Sequence, residues 1–400
     1  FPQLRGSLFA SDETPYSQLA VRNVKEAIED NSDVQGFIAA HQTAFADFDA
    51  YLDSELIEKM MELNISQTED TITQNIFGRI APLPLLDKYQ AYQLLDNQWA
   101  GIATDLEIVQ TEGFVAAKQV DPNMVIKKKG DKEEEVQSGW VGHVIPFELV
   151  QTTVLKADYD ALKAKEARLD EIAAELTEII DSIDEGDRGN FLNDDNTAFV
   201  SKEFAAKLAE IYGDVSSPEL DGLQGYLELL DAKAGKAEKL HYINTHSEVS
   251  WANVEGNSPY TKGKVSAYVN ALRTAYTFPE DSFEAKMVQA NKLMTEEKAV
   301  KREAKEMAEA LHLKTKETIE GLSDEQVLDL LRLKWIAPLC ASLRAMPDDI
   351  IAGLEKAVQA LADKYAVTYV EMDKQIQKSE ATIADMIDEL TGSEFDMKGL

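Results

Sequence analysis

The sequence is short of the side chains that most catalytic sites use. A single cysteine, Cys340, excludes an internal disulfide framework and a zinc site built on cysteines. It lies in the apolar run WIAPLCASL, which favours a small buried side chain over a nucleophile. Only five histidines are spread over the 400 residues, and no Ser/His/Asp grouping stands out among them.

The sequence also lacks the motifs of several enzyme classes. It contains no G-x-G, so the glycine-rich turn of an S-adenosylmethionine methylase is missing. No two prolines are adjacent, which excludes the N/D-P-P-Y/F loop of an amino-methylase. The motifs G-x-x-x-x-G-K-[ST], G-x-S-x-G and H-E-x-x-H are absent as well. We therefore predict no catalytic, cofactor-binding or metal residue in this chain.

Long apolar runs and excess positive charge are missing too. No window approaches the roughly 18 apolar residues of a membrane helix, and the cysteine usage favours the cytoplasm. The chain has 73 acidic residues and 40 lysines and arginines, which gives a net charge of −33. Such a surface repels phosphate, so we do not expect the chain to clamp DNA by itself. The acids alternate with lysines, which is typical of solvated helix faces.

What the sequence does contain is mainly helical periodicity. Residues 1–104 are predicted to form a helical region, with apolar spacing that indicates helices over 24–37 and 43–63. An S-x-x-E box at Ser66 predicts the start of the next helix.

Two prolines divide this region further. Pro82 and Pro84 predict that the helix begun at Ser66 ends near Ala81. Pro84 also suits the first turn of a new helix, PLLDKYQAYQLLDNQWAGI.

Residues 105–145 are predicted to be a small antiparallel β insert. Gly130-Asp131 predicts a hairpin turn. The basic run around it, Lys127–Lys129 with Lys132, is either a phosphate contact or a solvated hairpin tip, and the three glutamates that follow favour the tip. The predicted strands are LEIV (106–109), FVAA (114–117), MVIKKK (124–129), EEEV (133–136) and GWVGHVI (139–145).

The segments 146–184 and 281–312 are predicted to be two long coiled-coil-like helices. Both carry apolar residues every seven positions, the period of a left-handed coiled-coil seam. The simplest arrangement is an antiparallel pair of equal helices, Leu155–Ile183 and Phe283–Leu311. The alternative is that one or both helices join the helices of a partner. The predicted seam or partner-interface residues are Leu155, Leu162, Leu169, Leu176, Ile183, Leu293, Val300, Met307 and Leu311.

The segment between the two helices, 185–280, is predicted to be mixed and largely helical. The run Asp184–Asn196 invites a calcium-loop interpretation, but its spacing does not match an EF-hand loop. His241 and His246 are five apart and do not share a helix face. We interpret them as exposed or hydrogen-bonded side chains rather than as metal ligands.

Residues 313–400 are predicted to be a C-terminal helical region. Leu322-Ser323-x-x-Gln326-Val327 combines a capping box with a hydrophobic staple. The helix it begins is predicted to reach Pro338. Two further helices are predicted, from Asp348 to Tyr369 and from Glu371 to Leu390.

Several phrases together resemble the C-terminal region of the modification subunit of type I restriction–modification systems. In order along the chain they are PLPLLDKYQAYQLLDNQW, EIVQTEGFVA, GWVGHVIPFELV, NDDNTAFV, GLSDEQVLDLL, LKWIAPL and LADKYAVTY. The resemblance spans most of the chain and is weakest over 213–280. No single phrase is a strict signature, so their order carries the weight.

The resemblance implies that this chain is the non-catalytic C-terminal part of a longer adenine-specific DNA methyltransferase. The cofactor and N/D-P-P-Y/F motifs of such subunits lie in the preceding domain, so S-adenosylmethionine is expected there and no cofactor here. The implied partners are a specificity subunit and a restriction subunit, with DNA bound through the complex and no membrane contact.

The sequence thus predicts a mainly α fold with a small antiparallel β insert and a long antiparallel helix pair. The leading functional hypothesis is an assembly and positioning region of a methyltransferase subunit. The alternative is a free-standing acidic helical adaptor or DNA mimic. An enzyme with an unrecognised pair of acidic residues is the third.

Overall fold

The computed structural model describes residues 2–11, 17–21, 23–129, 132–364 and 369–388. The fold is mainly helical, as predicted, with small antiparallel β structure. The chain divides into two compact units, Phe1–Thr153 with Thr315–Leu400, and Val154–Lys314. None of the helices in the described ranges combines the length and apolar character that a membrane span requires.

The first unit consists of short N-terminal elements, longer helices and a β-hairpin. Its elements are α1 (Pro2–Leu8), β1 (Phe9–Ser11), β2 (Ser17–Leu19), α2 (Val24–Glu29), α3 (Ser32–Ala44), α4 (Phe48–Leu52), a π-helical turn (Asp53–Glu58), α5 (Ile65–Ile80), α6 (Lys88–Glu112), a 3₁₀ turn (Phe114–Lys118), β3 (Val120–Lys129), β4 (Lys132–Gly142), α7 (Phe147–Thr153), α14 (Asp324–Leu331), a second π-helical turn (Arg332–Ile336), α15 (Ala337–Lys364) and α16 (Tyr369–Asp388).

The second unit is built on two long helices with four shorter helices between them. Its elements are α8 (Lys156–Asp181), α9 (Ser201–Gly213), α10 (Pro218–Asp231), α11 (Lys236–Thr245), a 3₁₀ turn (Trp251–Asn253), α12 (Lys262–Ala275) and α13, which runs Phe283–Glu320 and so continues past this unit's last residue.

The two helices predicted over 24–37 and 43–63 are both broken in the structure. The Asn31 side chain accepts a hydrogen bond from the Asp33 amide, so it caps a new helix, α3, inside the first predicted helix. The second predicted helix is divided among the end of α3, α4 and the first π-helical turn. Apolar spacing alone did not reveal these caps.

The predicted helix start at Ser66 is one residue late and the predicted start at Pro84 is wrong, for the same physical reason. The Asn64 side chain accepts from the Gln67 amide, so α5 begins at Ile65. Asp87 accepts from the Tyr89 amide, so α6 begins at Lys88. A side-chain acceptor at the cap position satisfies an amide that the helix itself leaves free, and asparagine or aspartate serves best. The predicted end near Ala81 is confirmed.

Two predicted strands are helical instead. Residues 106–109 form the last turns of α6, and 114–117 belong to a 3₁₀ turn. Trp99, Ile102, Leu106 and Val109 continue one buried helical face, and this burial outweighs the local β preference. Gly113 ends α6 with a positive φ of 88°.

The β-hairpin is confirmed in its middle part. β3 and β4 pair antiparallel, with Val125 opposite Val136, while the predicted turn residues Gly130-Asp131 lie outside the described residues. The last predicted strand ends at Gly142 rather than 145. A Cβ at Gly142 would lie 1.8 Å from the Ile145 carbonyl oxygen, so the tight turn that follows requires glycine.

The C-terminal region begins as predicted and then departs from the prediction. Ser323 and Gln326 form the capping box of α14, and Leu322 and Val327 beside it are buried. The helical path does not stop at Pro338. The π-helical turn leads directly into α15, where Pro338 occupies the first turn and needs no amide donor.

The helices after Pro338 are also only partly as predicted. The predicted start at Asp348 is wrong, because α15 runs through Pro347 without a break. The last helix, α16, begins within two residues of the predicted start, and the predicted end at Leu390 lies outside the described residues.

In the second unit α8 and α13 pair antiparallel, as predicted. Contacts that lie late in α8 lie early in α13: Lys286 Nζ donates to the Ser182 carbonyl at 2.7 Å, and Lys314 Nζ to Asp158 at 2.6 Å. The predicted equality of length is wrong. α8 has 26 residues and α13 has 38, because its helical pattern continues beyond Leu311.

The segment between these helices folds around two apolar clusters. One joins α8 and α13 to α9 through Ile172, Phe204 and Met287. The other holds α10 and α12 together around Leu223, Tyr226 and other buried side chains. The helical prediction for 185–280 is therefore correct for most of this segment.

Candidate functional site

The predicted seam residues line the α8/α13 pair to different depths. Leu162 of α8 and Val300 of α13 are both buried, as an apolar seam between the two helices requires. Six of the nine predicted residues are buried: Leu155, Leu162, Ile183, Leu293, Val300 and Leu311. The other three, Leu169, Leu176 and Met307, are partly buried.

Ion pairs bridge the two helices where the apolar repeat is weakest. Arg168 donates to both carboxylate oxygens of Glu296, at 2.7 and 3.0 Å, and Lys165 donates to Glu303 at 2.8 Å. The hydrogen bond from Arg168 lowers the pKa of Glu296, and that from Lys165 lowers the pKa of Glu303. Exposed pairs add little stability, but a two-pronged Arg–carboxylate contact fixes the register of the helices.

A histidine–carboxylate cluster holds the foot of the hairpin in the first unit. His143 Nδ1 lies 2.6 Å from Asp121 Oδ2. Its Nε2 lies 3.2 Å from Glu112 Oε2, a charge contact that lacks hydrogen-bond alignment. The hydrogen bond with Asp121, then the charges of both carboxylates, raise the pKa of His143. The cluster joins the end of α6, β3 and the turn after β4.

A buried carboxylate anchors the second π-helical turn. Asp105 on α6 is only 6% exposed. Its Oδ2 accepts from Trp335 Nε1 at 2.7 Å and lies 2.5 Å from Lys334 Nζ, which also donates to the Val144 carbonyl. A buried charge is tolerated only with such partners. This arrangement explains why α6 packs against the turn at Arg332–Ile336.

Sequence reasoning missed both of these clusters. Asp105 and Lys334 are brought together by folding across more than half of the chain, and no local motif marks either of them. His143 was noticed only as part of a predicted strand. His41 is buried and stacks on Phe45 with ring centroids 4.9 Å apart, and burial lowers its pKa.

Cys340 is buried, as predicted, at 2% exposure. Burial, reinforced by a hydrogen bond with Asp49, raises the pKa of its thiol. A thiol whose ionisation is opposed in this way is a poor nucleophile.

The calcium-loop candidate and the two histidines of the second unit fold as ordinary structure. In Asp184–Asn196 the Asn193 side chain accepts from the amides of Thr197 and Ala198 and closes a turn. His246 Nδ1 lies 2.9 Å from the Tyr242 carbonyl oxygen, and its ring stacks on Tyr242. His241 is exposed. Among the residues that the structure describes, no grouping could hold a metal ion.

The second unit also contains a shallow cleft of roughly 480 Å³. Lys207 and Glu210 of α9 face it, together with Tyr276, Phe278 and Phe283 before and at the start of α13. Lys207 lies over the Phe283 ring and 3.2 Å from Glu210, so its charge is already paired. Ser216 also lines the cleft, and its hydroxyl donates to Asp221 at 3.2 Å.

The remaining sequence candidate, the basic run at 127–132, surrounds the hairpin turn. The backbone of Lys127–Lys129 belongs to β3, but Gly130 and Asp131 lie outside the described residues. The choice between a phosphate contact and a solvated tip therefore stays a prediction.

The α8/α13 pair is thus the most extended predicted feature that the structure assembles. The chain matches no protein-family model, no curated protein and no solved structure.

Proposed function

We propose that this chain is a non-catalytic assembly and positioning region of a type I restriction–modification DNA methyltransferase subunit. The parent protein would transfer a methyl group from S-adenosylmethionine to adenine N6. A preceding domain would hold that cofactor. A specificity subunit and a restriction subunit would be the partners, and the complex would work on DNA in the cytoplasm.

The observation that carries the proposal is the α8/α13 pair. An apolar seam and the bridges Arg168–Glu296 and Lys165–Glu303 hold this pair in one register. A long helix pair of fixed register suits a scaffold better than a catalytic pocket, because its outer faces can pack against further helices. The order of the resembling sequence phrases supports the same proposal.

The acidic charge is consistent with a region that leaves DNA contact to its partners. It also favours the second candidate, an acidic adaptor or DNA mimic, because a net charge of −33 resembles that of nucleic acid. The distribution of charge argues against mimicry. Many acids of α8 and α13 lie within ion-pair distance of lysine or arginine, as in Lys163–Glu166 and Lys301–Glu297.

Co-purification with a type I specificity subunit tests the assembly role. Leu162→Asp combined with Leu169→Asp places two charges in the seam, and we expect co-purification to be lost. Ala161→Asp combined with Ala167→Asp adds the same charge at exposed positions of α8 and should leave it intact. Circular dichroism checks that both variants remain helical. A folded seam variant that still co-purifies would contradict the role of the pair.

Calorimetry tests the non-catalytic part of the proposal. The chain alone should show no heat of binding with S-adenosylmethionine, because the glycine-rich turn that lets this cofactor approach the backbone is absent from the sequence. Micromolar binding would overturn the proposal. The coding sequence upstream of Phe1 gives a further check, since it should contain an N-P-P-F/Y loop.

A further inference from the structure

The last described helix, α16, exposes a stripe of large apolar side chains. Met372, Ile376, Ile383 and Met386 are between 52% and 62% exposed. Every other described helix carries at most one exposed side chain of this kind. Single exposed apolar residues are normal on a protein surface, whereas several on one face mark an interaction site.

The spacing of the four residues is that of a coiled-coil seam. Ile376 and Ile383 are seven apart, and Met372 and Met386 fall at the intermediate positions of the same repeat. At 100° per residue the four lie within an arc of roughly 80° on the helix. A narrow stripe of this kind fits one partner helix rather than a broad core. With 20 residues, α16 is about 30 Å long, which is enough for nearly three heptads.

The charges around the stripe specify the chemistry of that partner. Glu380 is exposed and flanks the stripe. The lysines of α16, Lys374 and Lys378, lie toward the opposite face. A helix that packs on the stripe therefore meets the carboxylate of Glu380 on that flank, and lysine or arginine at its own flanking positions would complement it.

The same charges disfavour a second copy of this chain as the occupant. In a symmetric antiparallel pair centred between Ile376 and Ile383, Glu380 of one copy would lie close to Glu380 of the other. Like charges that face each other across two packed helices destabilise the pair. The net charge of −33 on each copy adds repulsion at longer range.

We propose that the Met372–Met386 face of α16 binds an amphipathic helix that has an apolar heptad seam and basic flanking residues. The inference does not depend on the methyltransferase proposal, because it uses a helix of the first unit and not the α8/α13 pair. A chain with no role in DNA modification could carry the same docking face.

Fluorescence anisotropy with two synthetic helices tests this proposal on the full chain. Both peptides span about three heptads with leucine at the seam positions; one has lysine at the flanking positions and the other glutamate. Like-charged flanks keep each peptide from pairing with itself. We expect the lysine peptide to bind at least about tenfold more tightly than the glutamate peptide. Equal binding, or no binding by the lysine peptide, would overturn the proposal.

Three variants locate the site. Ile383→Asp puts a charge in the stripe and should weaken binding of the lysine peptide about tenfold or more. Ala381→Asp adds the same charge on the opposite face and should bind like the wild type. Glu380→Lys should shift the preference toward the glutamate peptide. Equal binding by the Ile383 and Ala381 variants would contradict the assignment of this face.

Sedimentation tests the competing occupant. We expect the wild type and Ile383→Asp to sediment identically without peptide. A wild-type dimer that Ile383→Asp converts to a monomer would identify a second copy as the occupant and refute the basic-helix proposal.

Discussion

At the scale of single residues, His143 is the group whose charge state matters most near neutral pH. The contact with Asp121 favours its protonated form in the folded protein, which raises its pKa above the ordinary value of 6.5. Its contribution to stability is therefore fully present below that ordinary value and is lost as pH rises through the raised folded value. Deprotonation of the imidazole removes the charge attraction to Glu112 and weakens the contact with Asp121, to which a neutral Nδ1–H can still donate.

Replacing His143 by glutamine should make this pH dependence disappear. We expect the wild type to lose more thermal stability than His143→Gln between about pH 6 and pH 9. Melting temperatures across that range measure the difference. His241→Gln alters an exposed histidine and should follow the wild type. If the melting temperatures of the wild type and His143→Gln change with pH in the same way, the charge on His143 does not contribute to stability.

Asp105 is the residue whose charge is most costly to lose. Asp105→Asn keeps an acceptor for Trp335 but leaves Lys334 without its counter-charge, and we expect a loss on the order of 2 kcal/mol. Asp324→Asn makes the same chemical change in an exposed pair with Lys118 and should cost less than about 1 kcal/mol. Urea unfolding followed by tryptophan fluorescence compares the two. Equal losses would mean that burial adds nothing to the Asp105 contact.

At the scale of elements, regular periodicity was predictable and its interruptions were not. The heptads of α8 and α13 identified the antiparallel pair and most of its buried residues, because a seven-residue repeat has few other structural solutions. The capping box at Ser323 was found for the same reason, since two reciprocal hydrogen bonds leave a specific spacing. Such patterns can be recognised from the sequence because the residues that form each structure lie close together in the chain.

The missed helix starts came from local caps, but other errors occurred where tertiary contacts decided the outcome. Residues 106–109 have a β-like composition but complete the buried face of α6. Pro338 does not end a helix, because a π-helical turn precedes it and Asp105 holds that turn through Trp335 and Lys334. These partners lie more than 200 residues apart, so no sequence window contains both. The same separation hid the Asp105 cluster from prediction, whereas the members of the His143 cluster lie much closer together in sequence but at no spacing that a motif marks.

At the scale of the whole molecule, the excess of 33 negative charges opposes compact folding. Added salt should therefore stabilise the folded protein, whereas it would destabilise a protein whose stability depends on exposed ion pairs. Screening weakens bridges such as Lys165–Glu303, but exposed pairs contribute about 1 kcal/mol or less each. Repulsion among the unpaired acids extends over the whole surface, and it falls as the Debye length shrinks from about 30 Å at 0.01 M to about 8 Å at 0.15 M.

We therefore expect the melting temperature to rise between about 0.01 M and 0.5 M NaCl at neutral pH. Differential scanning calorimetry measures the shift, and KCl at equal ionic strength should produce the same one, because screening does not depend on the identity of the cation. The shift should shrink near pH 4.5, the isoelectric point of the sequence, where the net charge approaches zero. A melting temperature that falls with salt would mean that the ion pairs outweigh the net repulsion, and that the lysines interspersed along α8 and α13 stabilise the fold more than their exposure suggests.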